Sequence, residues 1–299
     1  MAERTSHATA RPLPELAILL STLLWGTLWV PVRGLHGASD NGAWATSLGF
    51  LLPLLVLLPA ALAGWQRTPG GLRSCTAAGF WLALGIALYA EGVARGQVAR
   101  VVLLFYLTPV WSIVLARIAL QQPITHRRLA TIALGLAGML VIFAGGGGSG
   151  SGVSLADGMG LAGGIAWAIA LVAANRNASP TSFERVVAQF LFLAPVYFLV
   201  ASLPGAESAG ATGSPGAADA LPWLLAFSLL WMLPVVWLTV FAAARLEPGR
   251  FAILLMFEIV VGIASATLLA NEPLGAREIA GALLVLGAIG VEIQIGPGA

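Results

Sequence analysis

Few side chains in this chain are of a type that does chemistry. Glu258 stands inside the apolar stretch Phe257-Glu258-Ile259-Val260-Val261. A carboxyl group at that depth is expensive in hydrocarbon and is read first as functional: a proton site, or a contact for a substrate amine. The competing reading is a neutral, hydrogen-bonded acid that ties helices together. Glu91 lies four residues before Arg95, where a helical i,i+4 pair accounts for it. Glu15 and Asp157 stand at expected helix starts, where an acid suits the positive end of the dipole.

Aromatic residues form the second group. Trp44, Trp65 and Trp223 fall at the ends of apolar stretches and read as interface anchors. Trp25, Trp81, Trp111, Trp167, Trp231 and Trp237 fall deeper, together with Tyr89 and Tyr106. A deep Trp is either packing or the wall of a binding site. Trp25, Trp81, Trp167, Tyr89 and Tyr106 are the candidate substrate contacts. Tyr106 precedes Pro109 by three residues, so its hydroxyl is placed to bond a substrate carboxylate or a backbone carbonyl freed by that proline. An aromatic cavity with few fixed charges suits a neutral or aromatic amino acid. It does not suit a sugar phosphate, which calls for paired cationic side chains. Pro31, Pro53, Pro109, Pro195 and Pro234 each remove a ladder hydrogen bond, and Pro109 and Pro234 are the candidate hinges.

Other chemistry lacks its residues. Cys75 is the single cysteine, and His7, His36 and His126 are scattered, so neither a disulfide nor a metal constellation is expected. The glycine-rich run 145–152 contains no Lys, which excludes a phosphate-cradling loop. No cofactor is implied, and no nucleophile–base pair marks an enzyme.

The elements that must position these residues follow from composition. Of 299 residues, 59% are hydrophobic and 9% charged, against about 25% charged in soluble domains. Mean hydropathy is +0.91. A water-exposed globule, a disordered chain and a nucleic-acid binder are excluded; the chain is an integral membrane protein in contact with a lipid bilayer. Ten stretches of about 20 residues qualify as spans: 14–33, 42–63, 73–94, 98–120, 127–144, 155–175, 184–203, 220–244, 249–270 and 276–295. Their apolarity is continuous, without the ten-residue alternation of a barrel, so the expected fold is an all-α bundle. The polar, Arg-bearing residues before Glu15 read as the lead into a retained first span.

All 15 basic residues are Arg. With the N-terminus inside, 11 of them fall on the inner side, and Arg33, Arg95, Arg100 and Arg277 fall on or near the outer side. The positive-inside rule therefore favours cytoplasmic N- and C-termini.

The halves resemble each other. At a shift of 150, residues 96–141 lie over 246–291 without a gap, pairing Arg100 with Arg250, Val110 with Val260 and Pro123 with Pro273. Trp81 meets Trp231, and at a shift of 142 Trp25-Gly26 meets Trp167-Ala168. Five spans per half is an odd number, so the second copy must enter the membrane from the opposite side.

The Trp25-Gly26 element, Thr108-Pro109-Val110, the Gln122-Pro123-Ile124 turn and its partner Glu272-Pro273-Leu274 resemble the EamA domain. That domain occurs twice in the drug/metabolite transporter superfamily, and within it the chain is most similar to YddG-type amino-acid exporters of bacterial inner membranes. The ninth span departs from the family's Glu-Pro-Val, reading Glu258-Ile259-Val260. The resemblance implies ten transmembrane helices in two inverted five-helix repeats, residues 14–144 and 155–295. It also implies export of small amphiphilic metabolites, amino acids foremost, by alternating access, from a monomer or weak dimer. Proton coupling would fall on Glu258. A multidrug or purine-type exporter and a membrane-embedded enzyme are the alternatives.

Overall fold

The structure is a computed structural model and describes residues 13–39, 41–121, 125–143, 153–175, 180–203, 217–246, 251, 254, 255, 257–272 and 274–295. The turn 122–124, Pro273, Arg250, the glycine-rich run 145–152 and residues 204–216 lie outside them. Among the described residues every regular element is helical: α1 (Leu13–Gly26), α2 (Trp29–Gly37), α3 (Gly42–Leu62), α4 (Gly71–Arg95), α5 (Val98–Phe105), α6 (Thr108–Leu120), α7 (His126–Phe143), α8 (Leu155–Asn175), α9 (Ser182–Ala201), α10 (Ala217–Leu225), a π-helical segment (Ala226–Met232), α11 (Leu233–Ala243), α12 (Phe257–Leu269) and α13 (Ala276–Ile295). Seven helical stretches are long and apolar enough to cross a membrane, and Leu129–Gly138 and Phe257–Leu269 are shorter apolar helices.

The surface is apolar, as lipid contact demands. Along α1, Leu16, Leu20 and Leu23 are exposed while Ser21, Thr22 and Trp25 are buried. Leu62, Leu199 and Leu268 are each exposed by two thirds or more. A soluble helix would turn these faces the other way.

Three expected spans are not single α-helices, and proline explains each. A proline ring collides with the carbonyl four residues earlier. For Pro31 that residue is Thr27, and the first span breaks between Gly26 and Trp29. For Pro109 it is Phe105, where α5 ends. For Pro234 it is Leu230, inside the π-helical segment. Pro53 and Pro195, by contrast, sit within unbroken helices.

The freed carbonyls find side-chain donors, as backbone in a membrane must. Ser265 of α12 donates to Gly26 O at 3.0 Å. Thr108 donates to Phe105 O at 2.7 Å.

α4 packs against α8 and α9, α1 against α11 and α12, and α8 against α5 and α6, while α7 and α13 form a pair. Glycine sets the α4–α8 distance: a Cβ on Gly85 would stand 3.1 Å from Gly163 O. Gly160 admits Val101 O at 2.8 Å from where its Cβ would be. The small-residue spacing Gly160/Gly164 thus serves packing inside the chain, of α8 on α5.

Candidate functional site

The helix breaks bring the aromatic candidates together. Trp25 ends α1 just before the first break, and Tyr106 lies in the second, between α5 and α6. Trp167 comes from the middle of α8 and Tyr89 from α4. Trp25 and Trp167 meet edge to face, with centroids 6.1 Å apart at 87°. Trp167 meets Phe105 at 5.7 Å, and Phe105 meets Tyr89 at 4.9 Å and Tyr106 at 6.0 Å. These rings form one chain of offset and T-shaped contacts, the geometries that ring quadrupoles favour.

Glu258 terminates that chain. Tyr106 donates to Glu258 Oε2 at 2.6 Å, and Tyr89 lies 3.4 Å from Oε1. The Tyr106 hydroxyl is also 3.2 Å from Leu255 O. Glu258 is 5% exposed, and Tyr89 and Tyr106 are buried with it. The backbone carbonyl that Tyr106 reaches is therefore not one freed by Pro109 on its own span; it lies one turn before Glu258.

Tryptophan indoles fix the first break against the eighth and ninth expected spans. Trp25 Nε1 donates to Thr239 of α11 at 3.0 Å, and Trp231 Nε1 of the π-helical segment donates to Thr27 at 3.2 Å. Trp29 Nε1 donates to Ser265 of α12 at 3.0 Å. The indole N–H of Trp25 is thus occupied.

Trp81 is not part of this group. It pairs with Phe80 at 5.5 Å, and Phe80 in turn meets Phe192. Trp81 occupies the sequence position equivalent to Trp231, yet only Trp231 reaches a helix break. Pro109 and Pro234 are half-buried beside the second break and the π-helical segment.

Sequence reasoning missed two contributors. Phe105 is the ring that joins Trp167 to the tyrosines, and nothing in its type separates it from eleven other phenylalanines. Thr239 and Thr27 are the second; a hydroxyl in an apolar helix ordinarily bonds its own turn, and both also do so.

Glu184 is buried beside the start of α4, where it accepts from Thr68, while three other acids are gathered at the end of the bundle where α4 finishes. Glu91 pairs with Arg95 and accepts from the Tyr197 hydroxyl, which lies 3.0 Å from His36 Nε2. Arg33 pairs with Glu272 at 3.0 Å, and Arg100 with Asp157 at 2.9 Å. Asp157 also completes a reciprocal N-terminal box with Ser154. Among the described residues no group of His, Cys, Asp and Glu is arranged to hold a metal ion.

Comparison with known proteins adds a family to this geometry. A solved structure titled "Crystal structure of protein" is similar over 96% of this chain and 98% of its own, at 18% identity and a TM-score of 0.57, a likeness of fold alone. No curated protein matches. Residues 13–144, which carry Trp25, Tyr89, Phe105 and Tyr106, match the EamA-like transporter family.

Proposed function

We propose that this protein is a secondary-active or facilitative transporter that exports small amphiphilic metabolites, with neutral and aromatic amino acids as the leading cargo, by alternating access. The observation that carries the reading is the single cluster made by Trp25, Trp167, Phe105, Tyr89, Tyr106 and Glu258 beside two helix breaks. Transporters of inverted-repeat plan bind cargo at the interface of the halves, beside discontinuous helices. A site of rings with one acid gains affinity from apolar area and a few placed polar groups. In this reading, residues 14–144 and 155–295 are the two inverted five-helix repeats. Trp25 and Trp167 face each other as equivalent members of the two. Pro109 and Pro234 are hinges, and Trp81 is packing.

This reading has ten spans with both termini in the cytoplasm of a bacterial inner membrane, as a monomer or weak dimer. Cysteines introduced at 148 and 212 then react from the outer face; labelling of both from the cytoplasmic side alone overturns this topology. Glu258 is the coupling site. Glu258→Gln abolishes the pH dependence of uptake and leaves substrate exchange intact.

The test is counterflow in proteoliposomes over a panel of amino acids, purines and apolar amines. A carrier accelerates uptake of labelled substrate when the lumen holds unlabelled substrate, which a channel does not. Absence of accelerated exchange for every compound refutes the reading.

A further inference from the structure

The hydrogen-bond inventory at Glu258 carries a step beyond the coupling role proposed above, on which it rests. The Tyr106 hydroxyl has one proton to give and two neighbours within reach, Glu258 Oε2 at 2.6 Å and Leu255 O at 3.2 Å. Leu255 O only accepts. With Glu258 ionised, Oε2 only accepts as well, so the single Tyr106 proton serves one of the two and leaves the other unmet. With a proton on Oε2, that proton is donated to the Tyr106 oxygen, and the Tyr106 proton turns to Leu255 O. Tyr89 remains donor to Oε1 in both states. All three contacts thus carry a hydrogen bond at once only when Glu258 holds the proton.

We propose that Tyr106 is the positioning residue that transmits the proton state of Glu258 to the backbone at the start of α12. When Glu258 is protonated, the Tyr106 hydroxyl ties the break between α5 and α6 to Leu255 O. When Glu258 gives its proton to solvent, the Tyr106 proton swings back to the carboxylate and Leu255 O is released. No proton leaves Tyr106 in either direction; its O–H bond rotates. The released carbonyl lies one turn before Glu258, and the tether lies in the break beside Pro109. Loss of one proton therefore removes the Leu255 O tether between the fourth and ninth expected spans, at the point where the fourth bends, and leaves the Tyr106–Glu258 hydrogen bond in place.

The surroundings confine the effect to these groups. Among the described residues, Tyr89 of α4 and Tyr106 of the α5–α6 break are the titratable groups within hydrogen-bond reach of the Glu258 carboxyl. From α1 and α2, Gly26 and Trp29 meet α12 at Val261 and Ser265, and neither titrates.

The test is infrared difference spectroscopy of the full chain in liposomes through a pH titration. A carboxylic-acid C=O band that vanishes in Glu258→Gln identifies the Glu258 proton. The expected result is that Tyr106→Phe moves this band to higher wavenumber, through loss of the acceptor for its O–H. Tyr89→Phe, at the longer contact, moves it less. In the wild type, the C–O stretch of ring-deuterated tyrosine changes along the same titration, since Tyr106 changes partner; this measurement holds even if a variant fails to fold. A Glu258 band unmoved by Tyr106→Phe, or a tyrosine C–O stretch that ignores the titration, overturns the proposal. Counterflow on the same vesicles separates it from the transporter reading. Exchange without a Tyr106-sensitive band refutes the switch alone, and a Tyr106-sensitive band without exchange refutes the transporter reading alone.

Discussion

Glu91 and Glu258 are both buried and both accept from tyrosine hydroxyls, yet the charges around them differ. Glu91 has a guanidinium against it, that of Arg95, which also donates to Ala201 O at 2.9 Å. Glu258 has Tyr106 and Tyr89, which are neutral donors. A buried ion pair holds its carboxylate charged, and either partner alone would be an uncompensated charge in low dielectric. A carboxyl among neutral donors has no such counterweight, so a proton or a cationic ligand can neutralise it. Glu91 is therefore suited to fastening α4 to α9, and Glu258 to changing state.

The sharpest way to break this contrast is Arg95→Ala. It leaves Glu91 buried without its cation and is expected to cost about 3–5 kcal/mol of stability, read as a large drop in the thermal unfolding midpoint in detergent. A midpoint equal to wild type would show that Tyr197 and His36 suffice for Glu91, and the two acids would then be alike.

Substitution in the aromatic chain should instead act on cargo. Trp25→Ala or Trp167→Ala is expected to cost about 1–3 kcal/mol of substrate binding, roughly 10–200-fold, with the protein still expressed. Tyr106→Phe should cost less than Tyr106→Ala if ring packing dominates affinity. Equal substrate affinities in wild type and both Trp variants would reduce these rings to packing.

Glu258→Gln keeps the side-chain shape and both tyrosine contacts, so a stability change below about 1 kcal/mol is expected, beside a lost pH response of transport. A drop as large as that of Arg95→Ala would make Glu258 a structural acid.

The smallest effect is expected at Arg33→Gln. Arg33 pairs with Glu272 but keeps 29% of its side chain exposed, and pairs of that kind are worth about 0–1 kcal/mol. A loss of several kcal/mol would mean that the Arg33–Glu272 contact fastens the bundle as strongly as the Glu91 pair.

Much of this was legible in the residues alone. Continuous apolar runs in a chain with 9% charge dictate membrane helices, because hydrocarbon leaves the backbone no other partner than itself. Helices now lie in each stretch read as a span, and seven stretches meet the length and apolarity of a crossing. Glu258 stood out because an ionisable group is costly at such depth, Trp25 and Trp167 because they align between the halves, and Tyr89 and Tyr106 as deep rings that carry a hydroxyl. Pro31 and Pro109 marked breaks by removing a donor and crowding the carbonyl four residues back.

What one-dimensional spacing could not supply was which of these residues meet. Trp81 has the same type and depth as Trp231, but it faces Phe80, while Trp231 reaches Thr27 across 204 positions. Glu258 had no partner visible nearby in the chain; its two donors are 152 and 169 residues away. Phe105 acquires its place as the link between Trp167 and the tyrosines only from the way α5 lies against α8, at a distance set by Gly160. Burial in lipid decides that a helix forms and where it yields. The choice of neighbours rests on helix-to-helix packing, where small residues permit close approach and a few long-range hydrogen bonds select the contact.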